Sequence, residues 1–214
     1  MSQYSNLGAI LDSLAEQAKK NPISIRDALD KLNHFGFSLI VLILVLPFMQ
    51  PFPVGPISVL GGMTFAILGL QILRKYPAPV LPEKILKTSI GAQGWTTISK
   101  ASKFIIRWTK KISKPRLEKF VSGEFAIKIE GSILLSSGIL MAIPFGVLPF
   151  NNFFPGLAIL FATLAQLEKD GLFILIAIFW LIFSIFYFVI FFMALYYISI
   201  ESIQYLPNWL VSLI

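Results

Sequence analysis

The chain has no cysteine and a single histidine, His34. Disulfides, thiolate metal sites and cysteine nucleophiles are therefore excluded, and so is any cluster of histidine ligands. Charge is also scarce: 14% of the 214 residues are charged, against about 25% in an average soluble domain. Hydrophobic residues make up 56%. Three stretches carry no charge at all, Phe35 to Leu73, Gly131 to Leu167 and Gly171 to Ile200. Each is far longer than the roughly 18 apolar residues that already suggest a spanning helix. They run continuously apolar instead of alternating with polar lumen positions, which favours helices over a barrel. Residues 1–34 are polar and mixed in charge, without the pattern of a cleavable leader, so the N-terminus is expected to be retained.

The expected fold is an all-α membrane protein. It has two proline-broken helical hairpins, re-entrant or short-spanning, in an expected internal repeat. A basic amphipathic helix lies between them and a long C-terminal transmembrane helix follows. Five regions result: amphipathic helices over 1–34, a first broken hairpin over 35–73, a basic cytoplasmic segment over 74–124, a second broken hairpin over 125–170, and a transmembrane helix with a short tail over 171–214. Leu7, Ile10, Leu11, Leu14 and Ala15 recur at helical spacing. Asn21-Pro22 ends that helix, and Ser24 opens the next with Asp27 in capping-box position. Both helices read as interfacial or docking elements. His34, at the edge of the first apolar run, reads as an interfacial hydrogen-bonding residue rather than a proton shuttle.

Leu46 to Pro56 holds Pro47, Pro51, Pro53 and Pro56 with Gly55. So many prolines remove backbone donors and fix φ repeatedly, which forces an irregular segment between two helices. Within hydrocarbon such backbone survives only if protein or a wet cavity covers it. Ile143 to Gly156 repeats the pattern. Leu46-Pro47-Phe48 corresponds to Ile143-Pro144-Phe145, Pro51-Phe52 to Pro149-Phe150, Gly55-Pro56 to Pro155-Gly156, and Gln71 to Gln166. Paired interrupted segments of this kind point to a central transporter-like site. The candidate substrate-binding residues are Gln50, Gly55, Ser58, Gln71, Asn151, Asn152, Gly156 and Gln166. The competing reading is that they satisfy orphaned backbone groups and glue helices together.

Arg74 to Lys119 holds 12 of the 18 basic residues, against only Glu83 and Glu118. The positive-inside rule places it in the cytoplasm. Trp95 to Ser113 forms a basic amphipathic helix suited to anionic headgroups, which explains the charge without nucleic acid. Glu124, Lys128 and Glu130 flank the second apolar run as an expected interfacial ion-pair cluster, and Glu168 and Asp170 mark a membrane boundary. One histidine and scattered carboxylates assemble no phosphate loop, metal pattern or catalytic triad. The chain is thus expected to be no enzyme, with no metal and no cofactor. Membrane lipids are the expected partners, with a homodimer to cover short re-entrant elements.

The run HFGFSLIVLILVLPF, the break PFPVGPISVLGG, the helix ending LGLQIL, the basic middle segment and the second break IPFGVLPFNNFFPGLAILFATLAQLEKDG together resemble the ExoD family of bacterial exopolysaccharide-synthesis proteins, over about residues 6–198. The resemblance implies a multi-pass inner-membrane protein that works with polysaccharide-synthesis proteins. It implies a process and no catalytic residue. Two functions follow: a transporter or lipid-handling protein with its site at the paired breaks, or a non-transporting scaffold or regulator of polysaccharide machinery.

Overall fold

The computed structural model describes residues 3–32, 36–50, 55–81, 83–87, 89–144 and 148–204. In chain order the elements are α1 (Gln3–Ala18), β1 (Ile23–Ser24), α2 (Ile25–Leu32), α3 (Gly36–Val45), α4 (Pro56–Leu73), α5 (Glu83–Leu86), β2 (Ser89–Ile90), α6 (Ala92–Ile112), α7 (Gly123–Ala142), α8 (Phe153–Glu168) and α9 (Gly171–Gln204). His34, Pro51-Phe52, Phe145 and the tail around Trp209 lie outside the described residues. The helices fall close to where apolar periodicity places them. The exception is α7, which begins eight residues before Gly131 and carries Glu124, Lys128 and Glu130 within its first turns. The two-residue antiparallel ladder Ile23↔Ile90 and Ser24↔Ser89 is an addition to the all-helical expectation. It is too short to leave a periodic signal.

Among the described residues three helices, α4, α7 and α9, are long and apolar enough to cross a membrane. α4 and α7 form the tightest pair because their contact face is glycine. They run antiparallel, with Gly62 level with Gly138 and Gly69 level with Gly131. A Cβ on Gly138 would lie 2.4 Å from Ala66 N and 2.6 Å from Gly62 O, and one on Gly69 would lie 2.5 Å from Leu135 N. The two backbones are therefore in contact, the arrangement small residues permit in membrane helices. α3 leaves its sequence neighbour α4 almost untouched and lies on α8 instead, where Met49 Cε occupies the space a Gly156 side chain would need. α9 packs along α8, and Phe154 stacks on Trp180 with ring centroids 5.8 Å apart.

The hairpins share one polar end. Both α4 and α8 close with a lysine in the left-handed region, Lys75 at φ 58° and Lys169 at φ 51°. Tyr76 N donates to Gln71 O at 3.0 Å, and Asp170 N to Ala165 O at 3.3 Å. Both bonds satisfy a last-turn carbonyl as a Schellman cap does, with a cation at the negative helix end. Ion pairs gather here: Lys75 with Glu124, Arg26 with Glu83 at 2.7 Å, and Arg116 with Asp170 at 3.1 Å. A second apolar cluster covers this end, built from Leu11 and Leu14 of α1, Leu39 and Leu42 of α3, and Trp95 of α6. α1 thereby packs on the first half of α6, where Trp95 and Ser99 are buried. That half does not lie open on a headgroup layer, as amphipathic patterning alone suggests. Periodicity finds an apolar face without saying whether protein or lipid covers it.

Candidate functional site where the helix breaks meet

Gly55, at φ 61°, makes a turn that a side chain would strain, and Pro56 then opens α4 at its first position, where no N–H is lost. Ser58 sits one turn in. Its Oγ donates to Gly55 O at 2.7 Å and accepts from Asn152 Nδ2 at 3.0 Å. That second bond joins residues 94 apart in the chain and fastens the two breaks to each other. Asn151 and Asn152 are 2% and 1% exposed, and Gly156 N donates to Asn152 O at 2.9 Å inside the first turn of α8. Tyr187 Oη of α9 donates to Pro149 O at 2.6 Å and holds the second break against the long helix.

Gly55, Ser58, Asn151, Asn152 and Gly156 are therefore brought together, whereas three other candidates are not. Gln50 is exposed beside the first break. Gln71 lies about 20 Å along α4 from Ser58 and is occupied in holding a loop. Its Nε2 donates to Val80 O at 2.9 Å, and its Oε1 accepts from Val80 N at 2.8 Å. This pair folds residues 74–81 back onto α4. Gln166 lies at the polar end of α8, and its Nε2 is buried with no hydrogen-bond partner among the described residues. The two glutamines that correspond in sequence thus do different things.

What the joined breaks can do follows from the chemistry of their buried amide oxygens. Asn152 Oδ1 is buried and has no partner among the described residues. A buried acceptor of this kind calls for a water or a hydroxyl donor. An amide oxygen repels an anion and does not bind one. Nearby packing is apolar: the Phe48 ring fills the space beside Gly61 and sits edge-on to Phe65 at 5.9 Å.

At the polar end, sequence reading underrates Asp170. It is fully buried and accepts from Lys114 N at 3.0 Å, Arg116 Nε at 3.1 Å and Leu172 N at 3.0 Å. The last bond makes it the N-cap of α9. Burial works against its charged form, but the Arg116 guanidinium and the two backbone N–H groups outweigh burial and hold its carboxyl below the ordinary range. An Asp just before an apolar run is a legible helix-start signal; its grip on the 114–116 loop is not. Asp12 is likewise held low by Lys103 first and Ser99 second, which pins α1 to α6.

No group of three or more His, Asp or Glu side chains that could hold a metal occurs among the described residues. The family model described as "Exopolysaccharide synthesis, ExoD" matches residues 7–190. The chain belongs to the ExoD family. It is similar to Protein ExoD of Rhizobium meliloti (strain 1021), at 26% identity over 207 residues, which covers 97% of this chain and 84% of that protein. No solved structure matches. The match spans α1 through most of α9, so the joined breaks, the basic segment and the Asp170 clamp all lie within the region shared with ExoD proteins.

Proposed function

We propose that this ExoD-family chain is a multi-pass protein of the bacterial inner membrane whose hairpins enter the bilayer from the cytoplasmic side and turn within it. There it handles an anionic lipid or lipid-linked intermediate of exopolysaccharide synthesis. The observation that carries this reading is where the breaks stand along α9. Its apolar run of 30 residues, Gly171–Ile200, measures about 45 Å, and Tyr187, which grips the second break, stands about 24 Å along it. Beyond Phe188 the helix carries a wide exposed apolar surface: Ile190, Tyr196 and Tyr197 are each more than 60% exposed. Apolar helix without protein cover needs lipid, so the breaks lie inside hydrocarbon. The Ser58–Asn152 bond then supplies the partners that irregular backbone requires there.

All four hairpin ends opposite the breaks gather beside the basic segment, which the positive-inside rule assigns to the cytoplasm. The contact pattern supports an internal repeat. Exchanging α3 with α7 and α4 with α8 leaves the pairings α4–α7 and α3–α8 unchanged, and α4 and α8 end in the same lysine cap. The charge sits at the polar end and buried amide acceptors sit at the breaks, so an anionic headgroup belongs with the lysines. The reading has no catalytic step. A second reading, a scaffold or regulator of the polysaccharide machinery, is favoured by the apolar packing of Phe48 and Met49 beside the breaks.

The chain lacks native cysteine, so single cysteines report position cleanly. With a membrane-impermeant maleimide, Thr96→Cys should react in inverted vesicles and not on intact cells, Ser212→Cys on intact cells only, and Gln50→Cys and Pro149→Cys on neither. Labelling of Thr96→Cys from outside overturns the orientation. Labelling of Pro149→Cys from outside overturns the re-entrant hairpins.

A further inference from the structure

α3 and α4 are joined in sequence but stand apart, and the space between them is apolar. A cavity of about 200 Å³ lies at the polar end between α2, α3 and α6, lined by Ala28, Leu39, Ile43, Leu44, Thr64 and Trp95 among others. A second, of about 280 Å³, continues toward the first break between Phe48, Ile57, Leu60 and Phe65. Leu44 and Thr64 line both, so the two form one groove. It runs about 14 Å alongside α3 from Leu39 to Phe48. Thr64 spends its hydroxyl on Leu60 O at 2.8 Å.

We propose that this groove holds one acyl chain of an anionic membrane lipid, with the headgroup at the α2–α5 rim and the chain end toward Phe48. The inference rests on the membrane reading above. Three observations select this occupant. First, the groove wall is continuous with an exposed apolar stripe on α4: Ile57 and Leu60, which line it, are 59% and 66% exposed, and Met63 and Ile67 extend the stripe. A chain therefore enters sideways from the bilayer without crossing polar surface. Second, the rim carries Arg26 and Lys87, which share the single carboxylate of Glu83 at 2.7 and 3.7 Å. One positive charge is left over to complement a phosphate. Third, Trp95 is 3% exposed, and its Nε1 is buried with no hydrogen-bond partner among the described residues. An ester carbonyl at the interface between headgroup and chain supplies the missing acceptor. A soluble peptide would bring backbone N–H and C=O groups that this apolar lining leaves unsatisfied.

Trp95 also provides the readout. In the full chain with Trp108, Trp180 and Trp209 changed to Phe, Trp95 is the only indole. In vesicles containing phosphatidylglycerol with brominated acyl chains, its fluorescence should be quenched along a saturating curve. Half-saturation should come about five-fold earlier than with brominated phosphatidylcholine, the preference one unpaired cation confers near an anionic lipid. Ala28→Phe, which fills the groove, should remove the saturating component. Ile43→Phe does the same from α3 should Ala28→Phe not fold. Absence of quenching overturns the proposal, as does quenching that rises in proportion to brominated lipid and equally for both headgroups. Either failure together with the expected cysteine labelling would refute the groove and leave the membrane reading standing. Labelling of Thr96→Cys from outside would refute that reading itself.

Discussion

Substituting Gly138 tests the packing that holds the two hairpins together. An alanine Cβ there meets Ala66 N at 2.4 Å and Gly62 O at 2.6 Å, where ordinary contact begins at 3.4 Å. Both obstacles are backbone, so no rotamer change relieves them and the helices must separate by about 1 Å. A gap of that size forfeits about a quarter to a half of the dispersion attraction along the seam. Overpacking of this kind costs about 1–3 kcal/mol, and Gly138→Ala should lose that much. The matching control is Gly91→Ala, whose Cβ meets nothing within 4 Å and which should be neutral. Gly62→Ala combined with Gly138→Ala should cost less than the sum of the two, because one separation accommodates both methyl groups. The assay is the temperature at which detergent-solubilised protein ceases to be monodisperse on size exclusion. If Gly138→Ala melts with Gly91→Ala, the two backbones are not in contact and the hairpin seam is wrongly described.

Two further predictions concern the polar end. Asp170→Ala removes the α9 cap, worth about 0.5–2 kcal/mol, and deletes the bond that Lys114 N donates to its carboxylate, a kind worth about 1.5–3 kcal/mol; the combined loss should be roughly 2–5 kcal/mol in the same melt. The folded carboxyl of Asp170 titrates below its ordinary value. Its stabilisation is therefore complete above about pH 4 and is lost as pH falls through the depressed value. The margin by which the wild type outlasts Asp170→Asn should be constant from neutral pH to about pH 5 and shrink below that. Gln71→Leu deletes both bonds to Val80, so trypsin should cut at Arg74 and Lys75 up to about 30-fold faster, what two hydrogen bonds at roughly 1 kcal/mol each protect. Unchanged cleavage would mean that the loop is held by something else.

The chain's own pattern determines the helices, the breaks and the basic side, for reasons that act locally. Apolar runs without charge demand helix in lipid, and prolines at 47, 51, 53 and 56 cannot continue one. Gly55 ahead of Pro56 is a turn followed by a helix start wherever it occurs, and Ser24 with Asp27 caps α2 as written, with Asp27 N donating to Ser24 Oγ at 3.1 Å. Twelve cations in one connection make it the basic segment wherever the helices pack. Pairing could not be read in this way, because it depends on which surfaces meet. Gly62 and Gly138 are each ordinary small residues until α4 and α7 bring their backbones together. Gln71 and Gln166 look equivalent until one finds Val80 and the other is left with a buried Nε2 that has no partner among the described residues. Trp95 reads as the first residue of a headgroup helix until α1 and α3 close over it. Ser58 and Asn152, 94 residues apart, become one joint only when hydrogen-bonding groups excluded from water must find each other. That requirement belongs to the folded molecule and leaves no period in the sequence.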